Sequence, residues 1–231
     1  MTRRLILLRH GQTDYNATRR MQGQLDTDLS EVGRAQATAV AHLLKDERIV
    51  RILSSDLTRA HDTALAVGDQ LRLDVEVDQR LRETDLGKWQ ACTHAEVDAA
   101  HPGARAQWRH DATWAPPGGE SRVAVARRAR PVVEELMTSF GEWEGATVLI
   151  VAHGGTISAL TSSLLGLDIS QYPMFSGLGN TRSSQLTARP RFLPGGTDAD
   201  GESEPAPPVA RFTPETVGDP QWYLDAWNAG V

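Results

Sequence analysis

Leu5-Ile6-Leu7-Leu8 runs directly into Arg9-His10-Gly11, and this junction decides the fold. The apolar run is too short for a helix and reads as a buried strand. In open α/β sheets, ligands bind in the crevice beyond the carboxyl ends of the strands. Arg9 and His10 therefore stand where a site is expected, and Gly11 is expected to let the backbone turn sharply beside a small anion. The same grammar returns at Val148-Leu149-Ile150-Val151-Ala152, which leads into His153-Gly154-Gly155. A strand-end histidine released by glycine at each place predicts one site built from both ends of the chain.

Working outward, Ser30 is expected to cap a helix over 31–45, and 49–53 reads as another short strand. Ser54, Ser55 and Asp56 are N-cap candidates for the next helix, whose apolar face is Leu57, Ala60, Ala64 and Val67. Arg59 falls in its first turn, where charge and helix dipole both favour an anion. A short alternating strand covers 74–77, followed by Leu81-Arg82-Glu83. Residues 84–119 lose periodicity and carry Trp89, Trp108, Trp114 and the turn Pro116-Pro117-Gly118-Gly119, which reads as a cap inserted over the strand ends. Glu120-Ser121 opens a long helix to about 140, then come a strand over 147–152 and a helix over 156–165.

Strands alternating with helices predict an α/β fold, a three-layer α/β/α sandwich around a mostly parallel sheet, in one domain spanning 1–231. Residues 189–209, rich in Pro, Gly and acidic side chains, read as a flexible hairpin insertion with no visible chemistry. The aromatic end Trp222-Tyr223-Leu224-Asp225-Ala226-Trp227 is expected to dock on the domain.

Composition narrows the function. The chain has 231 residues, 40% hydrophobic and 23% charged, which suits a soluble globular protein. A net charge of −6 argues against a general nucleic-acid binder, which needs a basic face. One cysteine, Cys92, excludes an intramolecular disulfide framework. No apolar stretch approaches the length of a membrane span, and the start lacks a secretory pattern, so a cytoplasmic protein without a membrane partner is expected. A metal at His10 or His153 would call for further histidine, cysteine or carboxylate ligands nearby. Instead His10 is accompanied by Arg9, Gln12, Asn16 and Gln22, cationic and amide groups that hold anions. A small phosphorylated metabolite is the expected partner, with no metal and no cofactor.

The stretch Arg9-His10-Gly11-Gln12-Thr13-Asp14-Tyr15-Asn16 resembles the signature of the histidine phosphatase superfamily, the phosphoglycerate mutase-like proteins. The resemblance continues through Gly23, Leu29-Ser30-Glu31-Val32-Gly33-Arg34-Ala35-Gln36 and Ser54-Ser55-Asp56-Leu57-Thr58-Arg59-Ala60. It extends to Leu81-Arg82-Glu83, Gly118-Gly119-Glu120-Ser121 and Ala152-His153-Gly154-Gly155. It implies that His10 accepts the phosphoryl group and that Glu83 serves as acid and base. Arg9, Asn16, Arg59 and His153 are implied as phosphate ligands, with the Gly154 N–H as a further donor and Gln22 and Gly23 beside them. Cleaving a phosphate ester needs a nucleophile, charge neutralisation and an acid. Arg9, Arg59 and His153 are expected to keep the His10 imidazole neutral and so nucleophilic. One departure is Gln90-Ala91, where many relatives carry a glycine second; it is expected to lie outside the phosphate pocket.

Stretches 20–27, 112–116 with 118–122, and 224–228 resemble a narrower subgroup, and the resemblance implies glucosyl-3-phosphoglycerate as the ester, released to glucosylglycerate. The alternatives are a phosphoglycerate mutase, a broad-specificity sugar or metabolite phosphatase, and a non-catalytic module that binds a phosphorylated metabolite. Arg20, Arg109, His110, Arg122, Trp108 and Trp114 are all candidates to meet the rest of the substrate. A homodimer is common in the family and is expected here.

Overall fold

The strand that opens the chain lies inside a six-stranded sheet, flanked on both faces by helices. The computed structural model describes residues 2–191 and 211–230. In chain order the elements are β1 (Arg3–Arg9), α1 (Asp14–Ala17), α2 (Glu31–Leu43), β2 (Ile49–Ser54), α3 (Thr58–Leu71), β3 (Val75–Val77) and α4 (His94–Ala100). They continue as α5 (Ala104–His110), α6 (Arg122–Ser139), β4 (Thr147–Ala152), α7 (Gly154–Leu164), β5 (Ser183–Pro190) and β6 (Pro220–Ala229). The sheet order is β3-β2-β4-β1-β5-β6. β3, β2, β4 and β1 pair in parallel, whereas β5 and β6 join antiparallel.

Alternation along β1 feeds two cores. Leu5 and Leu7 pack with Val133 and Leu136 of α6 and with Ile157 and Leu160 of α7. Ile6 and Leu8 face the other way, onto Val40 of α2 and Ala60, Ala64 and Val67 of α3. All four β1 residues are fully buried, each worth about 2 kcal/mol of transfer free energy. The parallel register of β1 with β4 then sets the chemistry: Arg9 pairs with Ala152, so the next residues, His10 and His153, emerge side by side. The His10 N–H donates to the Ala152 carbonyl at 3.1 Å, extending the ladder one step past the strand.

One expectation needs correction. The N-terminus of α3 is not capped by Ser54, Ser55 or Asp56. Asp26 reaches in from the loop after β1, accepting from the Thr58 N–H at 2.8 Å and from the Thr58 hydroxyl at 3.0 Å, while Asp56 is paired with Arg82. Gly11 is not among the glycines of positive φ. A Cβ there would meet the Gly33 carbonyl oxygen at 2.5 Å, so its role is to let α2 approach the strand end. The aromatic end does dock, and it does so as β6, an edge strand. Of the expected insertion 189–209, Arg189 and Pro190 finish β5, and 192–209 lie outside the described residues.

Residues 84–119 build a small core of their own. Leu86, Trp89 and Val97 are buried together with Met21, and Trp108 and Trp114 pack against them. Trp89 meets Trp108 edge-on at 6.0 Å between ring centroids. Ala91, in the departure from the family pattern, has φ +68°, a left-handed conformation that costs a side-chain-bearing residue roughly 1–2 kcal/mol. Ala91→Gly is therefore expected to stabilise the protein by about 0.5–1 kcal/mol, read as a higher urea midpoint at unchanged slope. An unchanged or lower midpoint would show that the strain is absent.

Candidate active site

Beyond the carboxyl ends of β1, β2 and β4 lies a cleft of about 170 Å³. It is lined by Arg9, His10, Asn16, Arg20, Gln22, Gly23, Arg59, Glu83, Thr84, Leu86, Trp108 and Gly155. Seven of the residues expected at the site share this wall. His153 and Gly154, also expected, are not among these lining residues; the His153 ring is fully buried beside His10, the two ring centroids 5.1 Å apart.

The His10 ring is nearly buried, and its Nδ1 lies 2.6 Å from the carbonyl oxygen of Gly11. A carbonyl can only accept, so Nδ1 carries the proton and the neutral ring keeps its lone pair on Nε2. Burial is the largest cause holding the His10 pKa well below the ordinary histidine value, followed by the charges of Arg9 and Arg59. The expectation of a neutral His10 thus holds, but desolvation comes first and His153 is not among the causes. His153 is pushed well down as well, by burial, then by Arg59, His10, Arg9 and Arg128.

Arg59 is locked in place by the loop it supports. Its Nη1 donates to the Leu25 carbonyl and its Nη2 to that of Gly23, both at 2.8 Å. Burial lowers its pKa to about 10, opposed by Glu83 and Asp26, so it stays charged at neutral pH. Arg9 Nη1 donates to the Leu178 carbonyl. The Nε atoms of both arginines and both ring nitrogens of His153 are buried and have no protein partner. Buried donors left over in this way carry a free-energy cost that an anion among them would remove.

Glu83 stands at the start of α7, which has no side-chain cap of its own. One carboxylate oxygen accepts from the Gly155 N–H at 3.1 Å. The other accepts from Thr156 N–H at 3.1 Å and Thr84 N–H at 2.7 Å. Gly155 makes this possible, since a Cβ there would lie 2.5 Å from Glu83 Oε1. Behind it, Arg128 donates to the Glu83 carbonyl at 2.9 Å and to both oxygens of Glu120, and Glu120 accepts from the Asp85 N–H. The Gly118-Gly119-Glu120-Ser121 motif thereby braces the segment that carries Glu83.

Several supporting residues were not legible in the sequence. The Thr63 hydroxyl accepts from Gly11 N–H at 3.0 Å and donates to the Arg59 carbonyl at 2.7 Å, tying β1 to α3. Gln90 is nearer the site than expected: its Oε1 accepts from Gln24 N–H at 2.7 Å and abuts Gly23, whose φ is +57°. Helical spacing on α3 could have paired Thr63 with Arg59, four residues apart. Nothing in the sequence links Gln90 to Gly23.

The buried neutral histidines make stability depend on pH. Their folded pKa values lie below the unfolded value, so the unfolded chain binds more protons and stability is lost as pH falls below about 6.5. Each is expected to contribute about 1.4 kcal/mol per pH unit of loss until its folded pKa is reached. Urea unfolding between pH 7.5 and 5 checks this, and a flat profile would contradict it.

With fold and geometry in view, comparison with known proteins gives a family. The sequence model of the histidine phosphatase superfamily (branch 1) matches residues 5–192, and the chain belongs to that superfamily. Within it, the chain is 52% identical over 233 residues to the glucosyl-3-phosphoglycerate phosphatase of Mycolicibacterium vanbaalenii, covering 99% of this chain and 96% of that one. The structure of a mycobacterial glucosyl-3-phosphoglycerate phosphatase in complex with VO3 superposes with a TM-score of 0.85 at 49% identity, over 99% of this chain and 100% of that one. The α-ribazole phosphatase from Shigella flexneri is more distant, with a TM-score of 0.67 at 29% identity, over 79% and 89% of the two chains.

Proposed function

We propose that this protein is a phosphomonoesterase that hydrolyses glucosyl-3-phosphoglycerate to glucosylglycerate and phosphate through a phosphohistidine at His10. The observation that carries the reading is the His10 ring itself, its Nδ1 bound to the Gly11 carbonyl, which leaves Nε2 with the lone pair, in the field of the Arg9 and Arg59 charges. The substrate's phosphoryl oxygens sit among Arg9, Arg59, Asn16, Gln22 and the Gly23 segment, with His153 and the Gly154 N–H completing the cradle. Nε2 attacks phosphorus, the bond to the glycerate oxygen breaks, and Glu83 hands that oxygen a proton. Water then attacks the phosphohistidine while Glu83 takes up its proton, and phosphate leaves with His10 neutral again. The guanidinium groups neutralise the charge that builds on the transferring group.

The choice of substrate rests on the likeness to the glucosyl-3-phosphoglycerate phosphatases over nearly the whole chain. The test is phosphate release from glucosyl-3-phosphoglycerate and 3-phosphoglycerate side by side, with a chelator present throughout. The first is expected to be the better substrate, at a rate the chelator leaves unchanged. Isomerisation of 3-phosphoglycerate without phosphate release would make the protein a mutase. Binding without turnover would make it a sensor, and activity lost to the chelator and restored by a metal would overturn the cofactor-free pocket. The reading includes a homodimer in the cytoplasm, checked by light scattering and fractionation. No helix among the described residues is long and apolar enough to cross a membrane.

A further inference from the structure

Asn180 lies between α7 and β5, outside the stretches quoted above for the family resemblance. Its Nδ2 donates to the backbone carbonyl of His10 at 3.0 Å and to Oδ1 of Asn16 at 3.1 Å. The Thr13 N–H donates to the same Asn16 oxygen at 3.1 Å. These partners decide how each amide is turned. A carbonyl only accepts, so the atom of Asn180 facing His10 is nitrogen, and a backbone N–H only donates, so the atom of Asn16 facing Thr13 is oxygen. With Oδ1 taken by two donors, the Asn16 NH₂ group is the end left for the cleft, whose wall Asn16 forms together with His10.

The geometry points to Asn180 as a positioning residue: it fixes Asn16 with its NH₂ toward the phosphoryl group of the substrate and steadies the peptide that carries the nucleophile. This rests on the reading of the cleft as a phosphoryl site with Asn16 as one of its ligands. The sign of the effect depends on that orientation. Reversed, Asn16 would present its oxygen to a phosphate dianion and repel it. Thr13 N–H alone opposes reversal with one hydrogen bond, and Asn180 supplies the second. Asn180→Ala removes the restraint. Asn180→Asp sets an acceptor-only group against the His10 carbonyl and Asn16 Oδ1, which favours the reversed amide.

Inorganic phosphate as a competitive inhibitor reads the effect, measured with kcat on the same preparations. Asn16→Ala is expected to weaken phosphate by about 10–100-fold, the worth of a hydrogen bond to a charged group. Asn180→Ala is expected to weaken it by about 3–10-fold and Asn180→Asp by more, with a smaller change in kcat. In the Asn16→Ala background, Asn180→Ala is expected to cost less than about twofold, because the group it orients is gone. If Asn180→Ala does not fold, Asn180→Ser, which keeps a small polar side chain, takes its place in the cycle. Equal costs in both backgrounds would overturn the positioning role while leaving the phosphoryl site standing. If Asn16→Ala itself leaves phosphate affinity unchanged, Asn16 is not a phosphoryl ligand, and the inference falls together with that part of the site.

Discussion

His10→Ala is expected to lower kcat on glucosyl-3-phosphoglycerate by at least about 10⁴-fold, the scale seen when a covalent nucleophile is removed from an otherwise intact site. No neighbour can take over. Glu83 is held by three backbone N–H groups, that of Thr84 and those of Gly155 and Thr156 at the start of α7, and the His153 ring is fully buried. The guanidinium of Arg59 is anchored by Leu25 and Gly23, not by His10, so the anion site survives the substitution. Inorganic phosphate should therefore inhibit His10→Ala and the parent protein at similar concentrations. A variant retaining a tenth of the parent rate would remove His10 from the nucleophile's role.

Glu83→Gln should cost about 10²–10⁴-fold on an alkyl phosphate such as glucosyl-3-phosphoglycerate, the usual worth of a general acid. The substitution also disturbs structure, since one oxygen that accepts from a backbone N–H becomes an amide nitrogen. Comparing leaving groups separates the two effects. An aryl phosphate departs with little help from a proton and should lose much less, whereas a misplaced α7 would harm both substrates alike. Arg59→Ala should behave as that second case, because both esters present the same phosphoryl group. Equal losses for the two esters in Glu83→Gln would mean that Glu83 is not the leaving-group acid.

Much of this site was legible because its parts sit at the ends of strands. An apolar run followed by Arg9-His10-Gly11, and a second followed by His153-Gly154-Gly155, locate two neighbouring corners of a parallel sheet without any coordinates. Arg59 was legible from the helix phase of Leu57, Ala60 and Ala64. β5 and β6 were not: Ser183-Ser184-Gln185-Leu186-Thr187-Ala188 has no apolar run, and its strand identity comes from pairing with β1 and β6. The cap on α3 was missed because Asp26 is 32 residues from Thr58 in sequence, and nearby candidates drew attention first. Glu83 required the family resemblance, since a glutamate in a loop carries no periodic signal. That it completes the start of α7 depends on a contact 72 residues away. The helices α4 and α5 have seven residues each, too short for a periodic pattern to stand out.

The central claim is that His10 carries the phosphoryl group, on the ring nitrogen that Gly11 leaves free. Rapid quench of the protein with phosphoryl-labelled glucosyl-3-phosphoglycerate tests it most directly. The expected result is an acid-labile, base-stable phosphoenzyme that forms and decays at rates consistent with turnover, maps to the peptide containing His10, and carries phosphorus on Nε2. Label on another residue, or phosphate release at full rate with no phosphoenzyme on the millisecond scale, would contradict it.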